Sequence, residues 1–136
     1  MPAYSNVIAV IDDDEVFLLL VKKMIEQKNA ADMILQFSNG STALTYFKNN
    51  ASDILQLPSV IFLDINMPGM SGWQVLEKLS CIEFSPDYES SVFIMSADDI
   101  DFEKMRNYPL IKGYISKPAV PGKLMAAIES VKTVIK

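Results

Sequence analysis

The chain has no histidine and a single cysteine, Cys81, among its 136 residues. Without histidine it has no imidazole general base or metal ligand, and it cannot carry a phosphohistidine of its own. A lone cysteine forms no internal disulfide, a usage that fits a reducing cytosol, so a cytoplasmic protein is expected. No apolar run approaches the ~20 residues needed to cross a bilayer. The opening "MPAYSN" has no positive stretch ahead of an apolar core, so no signal peptide is visible. Positive charge is also scarce: 12 basic residues face 17 acidic ones, a net charge of -5. That balance argues against direct nucleic-acid binding or a surface for anionic lipid. No repeat, low-complexity tract or linker interrupts the chain, which is half hydrophobic. A single domain over 1–136, with a core over about 6–135, is expected.

What is present alternates in period. "VIAVI" (7–11), "DMILQF" (32–37), "SVIFLD" (59–64), "SVFIMSA" (91–97) and "KGYIS" (112–116) read as five short strands. Between them lie helical patterns. Apolar residues at 16, 17, 20, 21, 24 and 25 recur at helical spacing. "SNGSTALTYFKNN" (38–50) offers capping residues and then Ala43, Leu44 and Phe47 on one face. "WQVLEKLS" (73–80) and "DDIDFEKMRNY" (98–108) also read as helices, the latter opening on helix-favouring acids. The last helix covers 121–135, with Pro121 tolerated in its first turn. "NMPGMSG" (66–72) is a turn, and "CIEFSPDYES" (81–90) has no clear period and reads as a loop. Apolar strands separated by amphipathic helices predict an α/β fold: a doubly wound parallel sheet of five strands covered by five helices.

In such a sheet, ligands gather at the carboxyl ends of the strands, where strand order reverses. Strand one ends in Asp12-Asp13, the start of the acid run "DDDE". Strand three ends in Asp64, strand four in Ser96, and Lys117-Pro118 follows strand five. Each has an ordinary reading as well. Asp12 and Asp13 suit a helix N-terminus, Asp64 a turn, Ser96 any strand end, and Lys117 a solvated loop. Together they are more specific. Three carboxylates form a hard oxygen site suited to Mg²⁺, and a dication offsets their mutual repulsion. A lysine and a hydroxyl beside them supply a charge and a donor for a phosphoryl group carried on a carboxylate. Asp14 and Glu15 fit the first turn of the next helix instead.

The segments "VIDDDE" (10–15), "IFLDINMPGMSGW" (61–73), "FIMSADD" (93–99) and "GYISKP" (113–118) resemble the receiver domains of bacterial two-component response regulators, in a stand-alone form like the chemotaxis receivers. The resemblance covers essentially the whole chain. It implies the flavodoxin-like receiver fold with strand order 2-1-3-4-5. It implies that Asp64 is the phosphoacceptor and that Asp12, Asp13, Asp64 and the backbone carbonyl of Asn66 hold Mg²⁺, with Mn²⁺ as the alternative ion. Ser96 corresponds to the hydroxyl that meets the phosphoryl group, Lys117 to the lysine that pairs with it, and Tyr114 to the switch aromatic that turns inward. The bond between Lys117 and Pro118 is expected to be cis. Implied partners are a histidine kinase or a histidine phosphotransfer protein, and a downstream protein effector. A phosphoacceptor of this kind assists its own chemistry and is not a conventional enzyme.

Two features depart from the family pattern. The segment 81–90 is longer than usual, as an insertion or a partner surface. No output domain follows the last helix, so a direct transcriptional role is not expected. Three other readings fit less well. A haloacid-dehalogenase-type phosphatase needs an acid two residues after its nucleophile, where this chain has Asn66. A flavodoxin-like cofactor binder needs a glycine- and hydroxyl-rich loop where "DDDEVF" would repel phosphate. A phosphorylation-independent interaction module typically lacks one of the site residues, and here none is missing.

Overall fold

The computed structural model describes residues 6–118 and 121–135. Five strands run in parallel: β1 (Val7–Ile11), β2 (Met33–Phe37), β3 (Val60–Asp64), β4 (Ser91–Ser96) and β5 (Ile111–Ser116). Their spatial order is β2-β1-β3-β4-β5, so the chain reverses direction across the sheet between β1 and β3. The helices are α1 (Glu15–Gln27), α2 (Gly40–Asn49), α3 (Gly72–Leu79), α4 (Phe102–Met105) and α5 (Pro121–Ile135).

The strand pattern follows from burial on both faces. Every residue of β1 and β3 is buried, which is why neither shows an alternating polar face. Ala9, Ile11, Ile61 and Leu63 point into one core layer with Ala43, Phe47, Val75 and Leu76 of α2 and α3. Ile8, Val10, Val60 and Phe62 point into the other, with Leu18, Val21 and Ile25 of α1 and Leu124 and Ile128 of α5. Each fully buried Leu or Ile contributes about 1.5–3 kcal/mol relative to exposure. β2, at the sheet edge, is only half-buried throughout.

The helices start where short polar side chains take up free backbone N–H groups. Asp14 accepts from Val16 and Phe17, Asn39 from Thr42, and Ser71 forms a reciprocal capping box with Gln74. Each cap stabilises its helix by about 1 kcal/mol. The turn between β3 and α3 folds back on itself, with Gly72 N donating to Ile65 O at 3.0 Å. A Cβ at Gly72 would lie 2.5 Å from Asp64 O, so only glycine lets α3 start this close to the strand end.

Two expectations change, and a third gains detail. The helix expected over 98–108 shrinks to Phe102–Met105. Asp101 caps it, and the short acids before it favour turns and side chain–backbone bonds over helix. Pro109 then steers Tyr108 out of the helical region. On α1 the buried residues are Leu18, Val21 and Ile25, whereas Val16, Leu19 and Leu20 stay exposed, at 67, 52 and 56%. The segment 81–90 is a loop, as expected, but its aromatic residues pack inward. Phe84 lies edge-on to Phe47 and beside Tyr88, and Tyr88 Oη donates to Pro58 O at 2.6 Å. It closes the end of the core opposite the strand carboxyl ends.

Candidate functional site

The carboxyl ends of β1, β3 and β4 meet the start of the chain after β5. Asp12 is fully buried, and Asp64 and Ser96 are each 2% exposed, the buried polar residues among those described. Asp13 is exposed beside them. One carboxylate oxygen from each of Asp12, Asp13 and Asp64 lies within 4.8 Å of the other two. Unit charges that close repel by roughly 3 kcal/mol at the effective dielectric of a protein surface.

Lys117 is the counter-charge. Its Nζ lies 2.8 Å from Asp12 Oδ2 and 3.3 Å from Asp64 Oδ2. Its backbone is tied to the end of β4. Lys117 N donates to Ser96 O at 2.8 Å, and the bond to Pro118 is cis. The ammonium also lies 5.6 Å from the centre of the Phe17 ring, an attraction to the ring face. Burial pulls the Lys117 ammonium toward neutrality, but its hydrogen bond to Asp12 and the charges of Asp12 and Asp64 outweigh burial. Its pKa is raised and the charge is held.

One ammonium does not balance three carboxylates. Burial, and then the charge of Asp12, push the Asp64 carboxyl up to about 6, against the lowering by Lys117 and by the Asn66 backbone N–H. The pocket is thus short of positive charge, and all its spare ligand atoms are hard oxygens. That donor set fits a dication such as Mg²⁺, which needs few protein carboxylates because it retains waters.

The remaining contacts orient the carboxylates. Asp12 Oδ1 accepts from Asp14 N at 2.9 Å, and Asp64 Oδ1 accepts from Asn66 N at 3.1 Å. Ser96 Oγ donates to Asn66 Oδ1 at 2.8 Å and accepts from Asp98 N at 3.1 Å. Tyr114 lies apart from this group. It is half-buried on β5 and meets Phe102 of α4 edge-on, 6.4 Å between ring centres. The structure therefore gathers Asp12, Asp13, Asp64, Asn66, Ser96 and Lys117 in one pocket and leaves Tyr114 on the neighbouring face. Two contacts escaped the sequence reading: Phe17 beneath the lysine and the Asn66 side chain on Ser96. Position alone hinted at the first, since Phe17 lies two residues after the acid run.

Carboxylates, a lysine and a hydroxyl at the switch point of a doubly wound parallel sheet define the class of receiver-type α/β signalling domains. The chain belongs to the response regulator receiver domain family, whose model matches residues 8–129. It is 27% identical over 127 residues to the response regulator GtcR of Aneurinibacillus migulanus, covering 93% of this chain and 47% of that protein. It is 26% identical to the transcriptional regulatory protein YvrH of Bacillus subtilis, covering 90% of this chain and 47% of the relative. The chain thus spans about half the length of these curated relatives. Among solved structures, a two-component response regulator from Cytophaga hutchinsonii superposes with a TM-score of 0.73 at 24% identity, covering 96% of this chain and 98% of that one. The chemotaxis protein CheY4 of Vibrio cholerae superposes with a TM-score of 0.71 at 17% identity, covering 93% and 98%. These likenesses show the shared fold.

Proposed function

We propose that Asp64 takes a phosphoryl group from a phosphohistidine on a histidine kinase or histidine phosphotransfer protein. An Asp64 carboxylate oxygen attacks phosphorus in line as the P–N bond to the partner's imidazole breaks. The electron pair leaves with the imidazole, which is protonated from solvent. The observation that carries this reading is a buried acceptor, Asp64, held 3.3 Å from Lys117 in a pocket where one ammonium faces three carboxylates.

Asp12, Asp13, Asp64 and the backbone carbonyl of Asn66 would hold the metal, Mg²⁺ or Mn²⁺. When bound, the dication neutralises charge on the phosphoryl oxygens. Lys117 stays protonated and presents its ammonium to the same oxygens, while Asp12 fixes where that ammonium sits. Ser96 and Tyr114 then link the pocket to the face of α4 and β5, where an effector would read the change. The exposed Val16, Leu19 and Leu20 lie on α1, the helix that also carries Phe17, and would offer the donor protein an apolar seat. On this reading the chain works in the cytoplasm as one receiver domain. It acts through protein contacts, as relay, sink or effector, and is not a conventional enzyme. Among the described residues no helix is long and apolar enough to cross a membrane.

Labelling by acetyl phosphate tests the reading. Wild-type protein should form a base-labile acyl phosphate only when Mg²⁺ is present, and Asp64→Asn should form none. An adduct of undiminished yield in Asp64→Asn would remove Asp64 as the acceptor.

A further inference from the structure

The contact between Ser96 and Asn66 has no part in the phosphoacceptor reading, yet it occupies the group that reading needs. A serine hydroxyl has one proton to donate. Here that proton goes to Asn66 Oδ1, 2.8 Å away. While it does so, Ser96 cannot donate to a phosphoryl group on Asp64. Ser96 is 2% exposed, so its choice of partner is set by the protein rather than by water.

Asn66 is well placed to set that choice. Its backbone N–H donates to Asp64 Oδ1 at 3.1 Å, which ties it to the acceptor, while its side chain reaches the end of β4. Ser96 Oγ in turn accepts from Asp98 N at 3.1 Å, in the segment that leads to the Asp101 cap of α4. Asn66, Ser96 and Asp98 thus form a chain from the acceptor strand to the start of α4. Asn66 is itself exposed, so its amide oxygen can take water when Ser96 leaves. Ser96 can leave without stranding a buried group, which makes the contact a bias and not a lock.

We propose that the Asn66 side chain is a positioning latch. Its amide oxygen competes with the phosphoryl group for the Ser96 proton and holds Ser96 in the resting arrangement. Ser96 moves to the phosphoryl group only by giving up Asn66. The latch rests on the phosphoacceptor reading above and adds a residue that opposes the switch rather than assisting it.

A double-mutant cycle tests it on the intact chain at saturating Mg²⁺. Beryllofluoride serves as the probe, since it occupies an acceptor carboxylate much as a phosphoryl group does. Every variant retains the backbone carbonyl at position 66. With Ser96 present, Asn66→Ala should tighten beryllofluoride binding about 3- to 10-fold, the size of one net hydrogen bond. In a Ser96→Ala background the same substitution should change nothing. Unchanged or weaker binding in Asn66→Ala overturns the latch. So does an equal gain in both backgrounds, because the side chain would then act on the probe directly. If the wild-type protein neither binds beryllofluoride nor takes phosphate from acetyl phosphate, the phosphoacceptor reading itself falls.

Discussion

The two ends of this sheet are built on opposite electrostatic terms. At the amino end the polar groups are matched one to one, the exposed Asp32 carboxylate accepting from Asn6 N at 2.8 Å. Asn6 donates to Ala30 O, Ser59 to Asn6, Tyr88 to Pro58 O, and aromatic rings cover the rest. At the carboxyl end, three carboxylates share one lysine. Each carboxylate has hydrogen-bond or ionic partners where it is buried, yet the charges do not cancel. The amino end therefore stabilises the fold. The carboxyl end costs stability in the absence of a cation and holds that cost ready for a ligand.

The comparison breaks first at Asp13. Asp13 is exposed and makes no ion pair among the described residues, so Asp13→Ala should leave folding intact while Mg²⁺ affinity falls by about 10- to 100-fold or is lost. Calorimetric titration measures it, and near-native Mg²⁺ affinity would take Asp13 out of the metal site. The converse holds at the other end. Phe84→Ala should lower unfolding stability by about 2–3 kcal/mol, somewhat less than a fully buried phenylalanine, and leave Mg²⁺ affinity unchanged. Denaturant unfolding with parallel Mg²⁺ titration checks both halves. A matching loss of metal affinity would show that the ends are coupled.

Acid should sharpen the contrast. Asp64 titrates near 6 in the metal-free fold against 3.8 as a free side chain. Between these values the folded chain binds more protons than the unfolded one, so stability falls as pH rises from about 4 through about 6. The full penalty, on the order of 3 kcal/mol, is present above that window. Asp64→Asn should flatten this part of the curve and leave the metal-free protein more stable than wild type at pH 7. Thermal melts in chelator across that range measure the slope. A slope that survives in Asp64→Asn would assign the titration elsewhere.

The carboxyl end was the more legible of the two. Asp12, Asp64, Ser96 and Lys117 each stand where an apolar strand meets polar chain, and parallel topology brings such ends together. Lateral side-chain contacts were not legible. Nothing in the spacing of residues 66 and 96 tells which way the Asn66 amide turns. The face of α1 was only half-legible, because it carries more apolar residues than its core contact uses, and Val16 and Leu20 fit the period while facing out. The aromatic plug at 84 and 88 had no period to read, since loop residues pack by shape and not by repeat. The length of α4 was misjudged because acids that suit a first helical turn also suit a turn outside the helix.

The smallest effect draws the boundary between the two regimes inside one short acid run. Asp12 and Asp13 belong to the pocket. Asp14 Oδ1 accepts instead from Val16 N at 3.0 Å and Phe17 N at 3.2 Å, which makes it a helix cap, although it adjoins Asp13 in sequence. Asp14→Ala should therefore behave like an amino-end substitution: about 1 kcal/mol less stable, with Mg²⁺ affinity within a few-fold of wild type. Its backbone N–H, which donates to Asp12 Oδ1 at 2.9 Å, remains in the variant, so Asp12 keeps its orientation. Asp14→Asn should recover most of the lost stability, because asparagine caps as well as aspartate, and it removes the charge without removing the cap. If Asp14→Asn instead matched Asp13→Ala in lost Mg²⁺ affinity, the charge at 14 would belong to the pocket and the boundary would move one residue into α1.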